Sequence, residues 1–107
     1  MDQKTFDDVI DITLEKVRTI LGRKQAEYAR GDRLHNFKVA GAIANTTPEM
    51  ALRGMMAKHV VSVYDLIKDI EDGKKVEFIL WDEKTLDTIN YLILLRALLY
   101  ERDGVGI

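Results

Sequence analysis

The sequence predicts an all-α fold, and three observations predict it. Apolar residues recur at three- and four-residue intervals along most of the 107-residue chain, which is the signature of amphipathic helices. The single proline, Pro48, follows a threonine and precedes a glutamate, the order expected where a helix begins. The glycines fall mostly between the periodic segments. The expected arrangement is one domain over residues 1–107. It is a four-helix, antiparallel, bundle-like domain of three long helices and one short, pairing with a copy of itself. A chain this short buries a modest share of its surface alone, so self-association adds stability.

The first helix is expected from about Thr5 to Tyr28. Phe6, Val9, Ile10, Val17, Ile20 and Leu21 lie on one face, while Asp7, Asp8, Asp11, Glu15 and Arg18 lie on the other. Gly31 and Asp32 end or bend it. A shorter helix covers Leu34 to Ala44 and closes at Asn45. Thr47 then caps a third helix, with Pro48 at its first position and Glu49 facing the positive end of its dipole. That helix runs to about Glu71 and stops at Asp72-Gly73. Lys74 to Leu80 is ambiguous: its composition would suit a short strand, but no second strand exists to pair with it, and a connection or an early helical turn is expected. The last helix covers about Asp82 to Arg102, with residues 103–107 frayed.

Composition narrows the function classes. At 47% hydrophobic and 32% charged residues the chain has the means to form a core, which sets it apart from disordered sequences. A net charge of −2 leaves no basic face for a nucleic-acid backbone. The absence of cysteine excludes disulfides, thiolate metal sites and thiol catalysis. Met1-Asp2-Gln3-Lys4 leads into an amphipathic stretch and not into an apolar signal core, and no apolar run reaches membrane-spanning length. A soluble, cytoplasmic protein with no membrane partner is the expectation.

The informative anomaly is where polar residues fall at about 100° per residue. In the last helix Glu83, Asp87 and Asn90 begin a line that Leu94, Ala97 and Leu98 continue, so the acids are expected to point inward. In the first helix Lys24 falls within the apolar stripe, with Glu27 and Tyr28 on either side. In the third, Lys58, Ser62, Asp65 and Asp69 form a narrow polar line among Met55, Met56, Val60, Val61, Val63, Tyr64, Ile67 and Ile70. A charge facing a core costs several kcal/mol unless it is paired or binds a cation. Glu27, Asp65, Asp69, Glu83 and Asp87 outnumber the lysines near them, and a hard divalent cation such as Mg²⁺, accompanied by a substrate phosphate, would neutralise the excess. Arg23, Lys24, Arg30, Arg33, His35 and Lys38 would supply phosphate contacts.

Plainer readings stand beside these. Glu83, Asp87 and Asn90 would also suit a buried salt-bridge network with Lys58 or Lys24. Asp65 and Asp69 would suit the solvent line of a mostly apolar helix. His59 reads as a partly buried core histidine, and Tyr28, Phe37, Tyr91 and Trp81 read as packing aromatics. His59, Ser62 and Asp65 make no hydrolytic triad, because the sequence offers no strand-turn elbow or oxyanion loop.

Four segments carry a resemblance: Lys24-Gln25-Ala26-Glu27-Tyr28; Gly31-Asp32-Arg33-Leu34-His35-Asn36-Phe37; Gly54-Met55-Met56-Ala57-Lys58-His59 with Ser62 and Asp65; and Glu83-Lys84 with Asp87, Asn90 and Tyr91. Together they resemble small phage-type proteins akin to the nucleotide-modification-associated domains and, more distantly, the MazG-like all-α NTP pyrophosphatases. The likeness spans roughly Lys24 to Glu101. It implies an antiparallel helical core, often dimeric, that splits a nucleoside triphosphate into monophosphate and pyrophosphate with Mg²⁺. Those enzymes carry paired glutamates on one helix and a Glu-x-x-Asp pair on the next. Here the corresponding residues are Asp65 and Asp69, then Glu83 and Asp87 at one residue wider spacing. The expected site therefore has Asp65, Asp69, Glu83 and Asp87 as metal ligands and Glu27 as a water-positioning base. Lys24, Arg33, Asn36, Lys58, Asn90 and Tyr91 would contact the nucleotide. The alternative is a non-catalytic helical interaction protein, in which the same charges form ion pairs that fix helix register.

Overall fold

A computed structural model of the chain describes the backbone of residues 1–27 and 31–106, and the side chains of 1–23 and 31–106. The described residues form four α-helices: α1 (Gln3–Glu27), α2 (His35–Ile43), α3 (Pro48–Glu71) and α4 (Phe78–Asp103). No strand occurs among them. No helix among the described residues is long and apolar enough to cross a membrane. By contacts the chain forms two compact units, Met1–Arg33 and Leu34–Ile107.

The first unit is α1. Its start lies two residues before the expected Thr5, because Asp2 is the capping residue: its Oδ1 accepts a hydrogen bond from the Thr5 backbone N–H at 2.8 Å. The Thr5 hydroxyl and N–H both hold the Asp2 carboxyl below its ordinary pKa. Gln3 donates to Asp7 at 2.9 Å and Lys4 lies 3.8 Å from Asp8, one turn on in each case. The expected helix end at Tyr28 lies outside the described residues.

The second unit contains α2, α3 and α4. The Thr47 side chain accepts from the Met50 N–H at 3.2 Å, and Pro48 opens α3, as the Thr-Pro-Glu signal predicts. The turn from α2 to α3 is unusually close. A Cβ on Gly41 would lie 2.8 Å from the Thr47 carbonyl group and 2.9 Å from the Pro48 nitrogen, so only glycine lets the backbones meet there. The Thr46 N–H donates to the Gly41 carbonyl at 2.8 Å across the same turn, and Asn45 takes the left-handed conformation, φ 54°.

α3 packs on both α2 and α4. The six-residue link Asp72–Glu77 is short enough that α3 and α4 form a helical hairpin. α4 begins at Phe78, four residues before the expected Asp82, so the strand-like run Phe78-Ile79-Leu80 is the first helical turn. With no neighbouring strand to accept its backbone hydrogen bonds, that run closes them locally, and the Leu80 N–H donates to the Glu77 carbonyl at 3.0 Å. At the other end Gly104 (φ 66°) closes α4 with its N–H on the Tyr100 carbonyl.

Leu34, Phe37, Leu52 and Leu98 form the buried cluster of this unit, with Met55, Met56, Tyr91, Leu94, Leu95 and Ala97 packed around it. Leu52 is 1% exposed. Burying one such leucine contributes about 1.5–3 kcal/mol. Lys38 on α2 pairs with Glu101 near the end of α4, tying the short helix to the far end of the hairpin.

Candidate functional site

The middle of the hairpin brings three polar or aromatic side chains together. His59 stands on α3 one heptad from each of two buried leucines, Leu52 and Leu66, and so on the line that faces the core. On α4, Asp87, Tyr91, Leu94 and Leu98 recur at three- and four-residue intervals along one face. The two lines meet. The His59 Nδ1 lies 3.6 Å from an Asp87 carboxylate oxygen, with the two side chains 18% and 32% exposed. That separation is an ion-pair distance and long for a direct hydrogen bond.

The aromatic rings extend the cluster towards α2. The His59 and Tyr91 rings lie 5.0 Å apart, tilted by 32°, and Phe37 meets Tyr91 edge-on at 6.5 Å. Phe37 is buried while His59 and Tyr91 are half-buried, so this row runs from the core to the surface. Beside it on α4 stands Asn90, 7% exposed, whose Oδ1 has no hydrogen-bond partner among the described residues. An unpaired buried acceptor costs about 1–3 kcal/mol.

The predicted site residues are distributed more widely than this cluster. Asp87 and Asn90 turn inward as the helical wheel predicts, and Tyr91 is half-buried beside them. Glu83 does not turn inward. It lies one turn nearer the start of α4, its side chain is 60% exposed, and Lys84 is its neighbour at 3.8 Å. Asp65 is exposed on α3, and Asp69 is half-buried with Lys74 3.6 Å from its carboxylate. The polar line of α3 therefore borders the buried face without joining it. Lys58 and Asn36 are exposed and Arg33 is half-buried. The side chains of Lys24 and Glu27 lie outside the described residues. Among the described residues no three histidine or carboxylate groups converge closely enough to hold a metal ion.

His59 is the member of the cluster that the residue-by-residue reading assigned to the core. A lone helical histidine with no second metal-spaced ligand suits a core position, and the heptad spacing from Leu52 and Leu66 gives the structural reason; what one helix could not reveal was the acid opposite. The chain matches no protein-family model, no curated protein and no solved structure.

Proposed function

We propose that the face carrying His59, Asp87 and Tyr91 binds the Mg²⁺ complex of a nucleoside triphosphate and promotes its hydrolysis to monophosphate and pyrophosphate. The observation that carries this reading is the approach of Asp87 to His59 Nδ1 beside a half-buried aromatic ring. A carboxylate at one imidazole nitrogen orients the ring and favours the tautomer whose other nitrogen accepts a proton. Nε2 would take the proton of a water whose oxygen attacks the α-phosphorus. The bond to the α–β bridging oxygen breaks, and pyrophosphate leaves. Tyr91 offers a π-face for the base. Lys58, next to His59 in sequence and exposed, is the proposed phosphate contact.

The donor set suits a cation delivered on the phosphates better than a cage made by the protein alone. Mg²⁺ usually takes one or two carboxylates together with waters and phosphate oxygens, and Asp87 is the carboxylate in place to serve. When bound, the ion would supply charge neutralisation on the phosphates.

The second reading, a non-catalytic interaction protein, draws on a different observation. Lysines stand beside Asp69, Glu83 and Glu101, so much of the acidic charge has local compensation. Incubating the chain with each triphosphate and Mg²⁺, and following pyrophosphate release by ³¹P NMR, separates the two. The enzymatic reading expects release that His59→Ala abolishes while helicity is kept. No release with any triphosphate, with helicity intact, favours the interaction protein.

A further inference from the structure

Among the described residues α1 is the one helix of its compact unit, and its first half presents apolar side chains to solvent. Phe6, Ile10 and Leu14 are all exposed and lie four residues apart, forming one continuous ridge. Four residues further, the ridge ends in the exposed Arg18. Asp7 and Asp11, both exposed, flank the apolar part at about 60–100° from its centre.

The charges of α1 are segregated in sequence. Its first half carries Asp7, Asp8, Asp11 and Glu15 against Lys4; its second carries Lys16, Arg18, Arg23 and Lys24 against Glu27. Parallel pairing of two such helices would set acid beside acid. Antiparallel pairing sets each acidic half beside a basic one, and a two-fold axis produces that contact twice.

We infer that α1 is a self-association element that crosses α1 of a second copy of this chain antiparallel, at about residue 12. In that register Leu14 of each copy packs on Ile10 of the other. Arg18 reaches Asp7 and Asp11 of the second copy and lies against the face of its Phe6 ring, where a guanidinium is also attracted. Ridges four residues apart interdigitate in the commonest mode of helix packing. One helix crossing buries well under the roughly 1,600 Å² of a standard interface, so the dimer is concentration-dependent and sensitive to salt. None of these contacts involves the His59–Asp87 face, so the dimer and the nucleotide site stand or fall separately.

The test is sedimentation equilibrium of the full chain over a range of concentrations, with circular dichroism to confirm helicity. Arg18→Glu, and separately the double variant Asp7→Lys with Asp11→Lys, are each expected to raise the dimer dissociation constant by about tenfold or more. An equimolar mixture of the two variants restores opposite charges at both ends of the crossing and is expected to dimerise. A wild-type chain that stays monomeric at millimolar concentration overturns the inference. So does a dimer that all the variants form equally well.

Discussion

His59 on α3 and Asp87 on α4 face each other at 3.6 Å across the helical hairpin, the first less than one-fifth exposed and the second about one-third. The pair is too open to water to be a main support of the fold. Partly exposed ion pairs typically contribute about 0–1 kcal/mol. A couple that contributes little to stability yet occupies the core-facing lines of two helices is easier to explain by chemistry than by packing.

Asp87→Ala is accordingly expected to lower stability by no more than about 1 kcal/mol and to abolish pyrophosphate release. Urea unfolding and the ³¹P assay, run on the same preparation, check both halves. A loss of several kcal/mol would make the pair structural.

Asn90 should behave differently. Its buried Oδ1 has no partner among the described residues, so Asn90→Leu removes an unsatisfied acceptor and fills the same space with apolar atoms. The variant is expected to be as stable as the wild type, or up to about 1 kcal/mol more so, with its affinity for nucleotide unchanged, since the buried Oδ1 does not reach a ligand. Thermal unfolding together with a nucleotide titration reads both effects. Destabilisation by more than about 1 kcal/mol would mean that the amide serves the fold.

Two positions in the second unit test the packing that holds the hairpin. Gly41→Ala pushes a methyl group into the Thr47 carbonyl and the Pro48 nitrogen, backbone atoms that cannot swing aside, and should cost about 1–3 kcal/mol. Leu52→Ala leaves a cavity at the most buried side chain and should cost about 2–5 kcal/mol. At about 4–8 °C per kcal/mol for a domain of this size, both are visible in a thermal melt.

The Asp2 cap makes the start of α1 sensitive to acid. Thr5 holds the Asp2 carboxyl below its ordinary pKa, so the cap contributes at every pH above the unfolded value. That contribution declines as pH falls through the lowered folded-state value. The protection factors of the first-turn amides, with the pH dependence of intrinsic exchange divided out, should therefore fall in that acidic window, and Asp2→Ala should remove the dependence. An unchanged profile in the variant would assign the acid effect to another group.

Much of the fold is legible in the sequence because its signals are local. Thr47-Pro48-Glu49 specifies the start of α3 by capping chemistry within four residues, and Asp72-Gly73 its end. Phe78-Ile79-Leu80 is less legible, since a short apolar run suits a strand or a buried helical turn equally, and only the absence of a partner strand decides. The site divides along the same line. Asp87 and Asn90 share their stripe with leucines of the same helix, so one helical wheel places them. Glu83 sits on that stripe too, but near the hairpin end of α4, where its side chain reaches solvent. Periodicity gives a direction around a helix and says nothing of how far along it the neighbouring helices reach. The meeting of His59 with Asp87 joins residues 28 positions apart, and no spacing rule within a helix encodes it.

The central claim is that nucleotide binds at the His59–Asp87–Tyr91 surface, and the chain's two histidines make it directly observable. The measurement is the imidazole ¹H–¹⁵N spectrum during titration with a triphosphate and Mg²⁺, with His59→Ala used to assign the His59 signals. The account predicts saturable shifts of the His59 signals that Tyr91→Ala weakens, while the His35 signals move little. His59 signals that stay fixed at saturating triphosphate would contradict it.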